Sequence, residues 1–160
     1  MRLYAHRDIL KIFPDLKART LISWSEKGLF SPAIDASGTG SRRLYTKKNL
    51  VEIGVIRELI SYRFSHDIIR PLIKELNNRV KKNNFDMVIV ARRQLVSGGY
   101  VTGFTTGSRK KFAENGARLI FGEKSIPLSN GSTYKECALA VGSAIVVSLA
   151  DIWEFIKKQL

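Results

Sequence analysis

Five polar side chains recur at short intervals between residues 17 and 27: Lys17, Arg19, Thr20, Ser23 and Lys27. A second group, Arg42, Arg43 and Tyr45, follows a stretch rich in glycine and small polar residues. Arg and Lys can neutralise phosphates or donate to guanine edges, and hydroxyls can serve either target. Catalysis needs other constellations. His6 and His66 stand without a cysteine or carboxylate motif at metal-ligand spacing. The glycines of SGTGSRR lack the Gly-Lys-Ser/Thr ending of a phosphate-cradling loop. Cys137 is the only cysteine, so no disulfide within the chain can form, and its apolar setting, CALAV, reads as a small core residue. No enzymatic activity, cofactor or metal is expected.

Charge points the same way as the residue types. Twenty-seven Lys and Arg face 14 Asp and Glu, a net +13 over 160 residues. Residues 1–84 hold 17 basic and 8 acidic side chains, net +9; residues 85–160 hold 10 and 6, net +4. Such a surplus suits an anionic partner, double-stranded DNA before a membrane surface. The competing reading is solubility charge spread over the whole surface. The start, MRLYAHRDIL, is not a signal peptide. The longest apolar stretch, residues 137–149, contains Gly142 and two serines and is too short to span a bilayer. The expectation is a soluble, cytoplasmic, nucleoid-associated protein with no membrane partner.

These side chains need elements to aim them. Ile9, Leu10, Ile12 and Phe13 make the apolar face of a short helix over 6–13, broken by Pro14-Asp15. Asp15 can cap a second helix, from about Leu16 to Lys27, that Gly28 stops in the left-handed conformation. Two short helices so joined form a helix-turn-helix, whose second helix enters the major groove. Leu21, Trp24 and Leu29 would then face the core, which for Trp24 outweighs stacking on a base. Residues 30–45 read as a loop or ragged hairpin with a basic return strand; adjacent arginines alternate across a strand, so one of Arg42 and Arg43 points away from DNA. Thr46 can cap a third helix, with Leu50, Ile53, Ile56, Leu59 and Ile60 near one face. Ser65 can cap a fourth, where Ile69, Leu72, Ile73, Leu76 and Val80 form a stripe and Pro71 predicts a kink or delayed start. KKNN at 81–84 reads as a linker.

From Phe85 strand signals take over. MVIVA (87–91) and GYVTGF (99–104) flank the turn chemistry of Ser97-Gly98-Gly99. Asn115-Gly116 precedes a strand-like ARLIF (117–121), and Asn130-Gly131 marks another turn. TYKECALA (133–140) reads as a short helix and SAIVV (143–147) as a strand. Ser148 and Asp151 offer a capping box to a last helix striped by Leu149, Ile152, Trp153, Ile156 and Leu160. The fold class expected is α+β: a mostly helical N-terminal winged helix-turn-helix over 1–84, then a small C-terminal α/β segment over 85–160 with antiparallel strands and a terminal helix.

Three stretches carry a family pattern: RTLISWSEKGLFSP (19–32), SRRLYTKKNL (41–50) and RFSHDIIR (63–70). In order and spacing, residues 6–76 resemble the winged-helix DNA-binding domain of the MerR family of bacterial transcription regulators. Its pattern runs R-T-L-R-Y-[YW]-E-x-x-G-L-[LI]-x-P, a wing ending G-Y-R-x-Y, and G-[FMY]-[ST]-L-x-x-I-[RK]. The resemblance implies that Arg19, Thr20 and Ser23 lie along the DNA-facing helix and that Arg43 and Tyr45 sit at the wing's phosphate contacts. It also implies a homodimer on an inverted repeat. This chain departs at Ile22, Ser23 and Ser25, where the family keeps Arg, Tyr and Glu, and at Ser41-Arg42, where it keeps Gly-Tyr. Arg42 is expected to replace part of the lost cation.

The family's long dimerisation coiled coil is missing, because the stripe Ile69 to Val80 spans under about 20 Å of helix. Dimerisation is therefore expected in the C-terminal segment, which could instead sense a small-molecule effector or bind a protein. The function read from the sequence is a sequence-specific transcription regulator. The alternative is an architectural, excisionase-like or antitoxin-like accessory protein with a protein partner on that segment.

Overall fold

A computed structural model describes residues 2–36, 38, 42–80, 85–96, 99–110, 112–114, 124–127, 133–136 and 142–160, with the backbone alone for 91–96, 99–105, 124–127, 133–136 and 142–144. The class is α+β, with helices first, then antiparallel strands and a terminal helix. Two units make up the chain: residues 1–85 with 149–160, and residues 86–148.

The first unit contains helices α1 (His6–Ile12), α2 (Ala18–Glu26), α3 (Lys47–Ser61), α4 (His66–Arg79) and α5 (Leu149–Gln159). Strands β1 (Tyr4–Ala5) and β2 (Leu44–Tyr45) pair antiparallel, Tyr4 opposite Tyr45. α3 is the centre of the unit. Its residues 49–56 are all buried, so it is enclosed on every side rather than on one stripe. Thr46 caps it as the sequence predicts: its hydroxyl accepts from the Asn49 N–H at 3.2 Å. Ser65 holds the cap position of α4 without a side-chain bond, and that helix runs from His66 through Pro71 to Arg79.

The terminal helix differs from the expected division at residue 84. α5 groups with the N-terminal unit because its apolar stripe finds α3. Gly54 makes the approach possible: a Cβ there would lie 2.5 Å from Ile152 Cγ2 and 3.6 Å from Phe13 Cζ. Phe155 stacks beside Phe13 at 6.0 Å and Trp153 beside Phe85 at 5.4 Å. Leu149 and Ile156 are fully buried, while Leu160, the last of the expected stripe, is 45% exposed.

The second unit holds a three-stranded antiparallel sheet in the order β4-β3-β7, from β3 (Met87–Val96), β4 (Gly99–Ser108) and β7 (Gly142–Ser148). The hairpin expected from MVIVA and GYVTGF is the β3–β4 pair, in register from Met87 opposite Ser108 to Val96 opposite Gly99. β5 (Lys124–Pro127) and β6 (Thr133–Glu136) form a separate pair. Residues 133–136 are thus strand, not the start of a helix; Thr and Tyr favour an extended backbone, and Tyr134 pairs with Ile126. The linker 81–84, the turn residues 97–98, 115–116 and 130–131, the strand expected at 117–121, and Cys137 with the rest of 137–140 lie outside the described residues.

One buried polar group ties α3 to the chain leaving α2. The Asn49 side-chain amide donates to the Ser31 carbonyl at 2.9 Å and to Glu52 Oε2 at 2.8 Å. Burial pushes the Glu52 carboxyl above its ordinary 4.5, opposed by hydrogen bonds from Asn49 and Asn77 and by the charge of Lys48. A raised carboxyl costs nothing below its unfolded pKa, where both states are neutral. The cost grows as pH rises through the window between the unfolded and folded values. Glu52→Gln should therefore raise the thermal midpoint at pH 7 by roughly 4–8 °C, the shift expected of about 1 kcal/mol in a unit this size, with the gain vanishing near pH 4. Melting curves at the two pH values check it. A second test concerns Gly54. Alanine in a helix interior normally stabilises by about 0.5–1 kcal/mol over glycine. Here Gly54→Ala should lower the midpoint instead, through the roughly 1–3 kcal/mol stability cost of an overpacked contact, and adding Ile152→Ala should recover part of the loss.

Candidate nucleic-acid interface

α2 is held at both ends by bonds that sequence spacing hides. Lys17, not Asp15, occupies its N-cap position: the Lys17 carbonyl accepts from Thr20 at 3.0 Å, and no side chain caps the helix. Asp15 turns elsewhere. Its carboxylate accepts from Arg57 Nε of α3 at 2.8 Å, and that bond holds it below the usual carboxylate range. At the other end Gly28 is left-handed, with φ 67°. The Gly28 N–H reaches Ser25 O at 2.9 Å and the Leu29 N–H reaches Trp24 O at 3.0 Å, the paired bonds of a Schellman stop. Arg70 of α4 donates from Nε and a terminal nitrogen to the Lys27 carbonyl, at 3.3 and 3.1 Å. A cation there also complements the negative end of the helix.

So fixed, α2 buries Leu21 and Trp24, with Leu29 buried just beyond, as the periodicity predicts. Its opposite side is open. Arg19, Ile22 and Glu26 follow one another at i, i+3 and i+7 and are exposed, with Ser23 half-buried beside them. Thr20 is half-buried, and exposed Lys17 and Lys27 flank the helix about 15 Å apart along the axis.

The return segment lies beside this face. Ile34 and Leu44 exchange backbone bonds of 3.2 and 3.0 Å, closing the base of a loop. Arg43 Nε donates to Asp35 Oδ1 at 2.6 Å across that base, which holds the Asp35 carboxyl low. Arg42 is exposed, while Arg43 is largely covered, its side chain 18% accessible. Tyr45 corrects the sequence expectation. It is 0% exposed, and its hydroxyl meets His6 Nδ1 at 3.2 Å, so it builds the core instead of presenting a surface to phosphate. A tyrosine in a two-residue strand pair carries its ring inward against Phe30, 6.2 Å away.

An open cavity of about 760 Å³ joins these pieces. Ala5, His6, Arg7 and Leu10 line one wall, Ala18 and Ile22 another, and Ala36, Arg42 and Arg43 the third. Sequence reasoning missed Arg7 and Ile22 as site residues. The signal for Ile22 is local, since it falls one turn from Arg19 and on the side of the helix opposite buried Trp24. Burial, then the charge of Arg43, lowers the His6 pKa, so the wall beside the arginines carries a neutral imidazole at neutral pH. Among the described residues no group of three or more His, Cys, Asp or Glu could hold a metal, and no helix is long and apolar enough to cross a membrane.

Tyr45→Phe separates a structural tyrosine from a phosphate contact. It should cost about 1 kcal/mol of stability, the loss of one net hydrogen bond, and leave affinity for a DNA duplex within about twofold, below the 1.4 kcal/mol of a tenfold change. Thermal melting and duplex titration of the same variant check both halves.

No curated protein matches the chain. Residues 15–76, from the turn before α2 through most of α4, match the family model described as MerR HTH family regulatory protein, so this part of the chain is similar to a MerR-type helix-turn-helix domain.

Proposed function

We propose that the protein is a sequence-specific DNA-binding transcription regulator. In this reading α2 enters the major groove and the segment 34–45 acts as a wing on the backbone. The observation that carries it is the exposed face of α2, led by Arg19, clamped at both helix ends and set beside Arg42 and Arg7 in a chain of net charge +13. Phosphate neutralisation captures the duplex and base edges fix the register. Lys17 and Lys27 serve the backbone on either side of the helix, and Thr20 and Ser23 donate from its flank. Arg43 acts through Asp35 as the brace that holds the wing. No enzymatic step, metal or cofactor belongs to this function, and its setting is the cytoplasm.

Assembly is part of the proposal. α4 ends at Arg79, too short for a dimerising coiled coil. The unit 86–148 is therefore the proposed homodimerisation or effector-binding module. The same shortness favours, as a second reading, an architectural accessory protein that uses this unit to hold a different protein. Mass spectrometry of complexes isolated from native cells separates the two readings by whether a second protein is present in stoichiometric amount.

The functional test uses the full chain, because α5 packs on α3 and a fragment ending at 84 would lack it. Duplexes selected from a random pool are titrated over a range of salt. Arg19→Ala should cost roughly 1–3 kcal/mol and relax preference at one base pair, whereas Arg42→Ala should weaken all sequences alike and lower the salt slope by about 1. Binding unchanged in the double variant contradicts the proposal.

A further inference from the structure

The geometry points to Ile22 as a specificity-determining residue that reads the C5 methyl group of a thymine. The inference rests on the proposal that α2 enters the major groove and names what its centre recognises there. Ile22 is 36% exposed, the one large apolar side chain so exposed on α2. Isoleucine is a mediocre helix former, and at an exposed position it adds little to the core. Its placement is particular. With Ala18 one turn earlier and Leu10 of α1, it supplies apolar lining to the open cavity, whose other walls carry Arg7, Arg42 and Arg43.

A phosphate oxygen is poorly matched to Ile22, Ala18 and Leu10, whose side chains offer it no donor. Arg7 and Arg42 suit it: guanidinium groups pair with phosphates bidentately. A duplex whose backbone engages Arg7 and Arg42 therefore turns its groove edge toward Ile22 and Ala18. On that edge the one apolar group is the thymine methyl, and apolar side chains are its matching contact. The pairing adds an apolar contact to the polar reading that Arg19, Thr20 and Ser23 can supply. Ile22 removes water from the methyl, and the neighbouring Arg19 supplies polar reading one turn away.

Uracil substitution isolates this contact, since it removes the methyl and leaves every hydrogen-bonding group of the base in place. The full chain is titrated with a duplex selected from a random pool, and each thymine is replaced by uracil in turn. At one thymine in each recognised site, uracil should weaken binding about fourfold, the effect of losing one buried methyl group. Ile22→Ala should bind the thymine and uracil duplexes equally at that position; a melting curve confirms that it folds, and the uracil scan on the unsubstituted chain needs no variant. Equal binding of all uracil duplexes by the unsubstituted chain overturns the inference. So does a uracil penalty that persists in Ile22→Ala, because another group then reads the methyl. Failure to bind any duplex is a separate outcome: it removes the DNA-binding proposal itself and this inference with it.

Discussion

The bond from the Leu29 N–H to the Trp24 carbonyl, made possible by left-handed Gly28, is the constraint on which the site depends. It stops α2 after Glu26 and turns the chain back toward the core, where Leu29 and Phe30 are buried. Ser31 then meets Asn49 of α3, so the exit from α2 is fastened to the most enclosed helix of the unit. Arg70 closes the same corner from α4. The opposite end is fastened by the Asp15–Arg57 pair, which joins the turn before α2 to α3. A helix of nine residues is marginal alone in water. Held at both ends and packed through Leu21 and Trp24, it becomes a rigid arm whose other face is free to meet a ligand.

The electrostatics of the unit follow a division of labour. Arginines near the core are engaged with acids or carbonyls: Arg57 with Asp15 and Glu58, Arg43 with Asp35, Arg70 with Lys27 O and Asp67. These pairs are partly exposed, so each is worth little as stability, and their value is positional. Arg19 and Arg42 are set outward instead. The polar cluster of Asn49, Glu52 and Asn77 is the counterpart inside the fold, satisfied in part: Asn77 Oδ1 is buried without a partner. Such clusters specify one arrangement at some cost in stability.

Local chemistry was legible in the sequence and distant pairing was not. Gly28 and the Thr46 cap depend on neighbours within a few residues, and spacing alone identifies them. Asp15 reads as a cap because aspartate before a helix usually is one; its partner, Arg57, lies 42 residues on and no local pattern signals it. In the sequence Tyr45 groups with the arginines by proximity and by the family resemblance, yet pairing with β1 carries it into the core beside His6. The stripe on α5 was legible, but its destination was not, since only Gly54 on α3 marks where it docks. Ile22 reads in the sequence only as a loss of family charge; the cavity it shares with Arg7 and Arg42 is visible in the fold alone.

The central claim is that one face, built from α2 and the segment 34–45, meets DNA. Hydrogen exchange of the full chain with and without a selected duplex tests it most directly. Slowed exchange on duplex binding is expected over residues 17–27 and 34–44, with little change across the β3–β4 hairpin. Protection confined to residues 86–148, or none in α2 at a saturating duplex concentration, would contradict it.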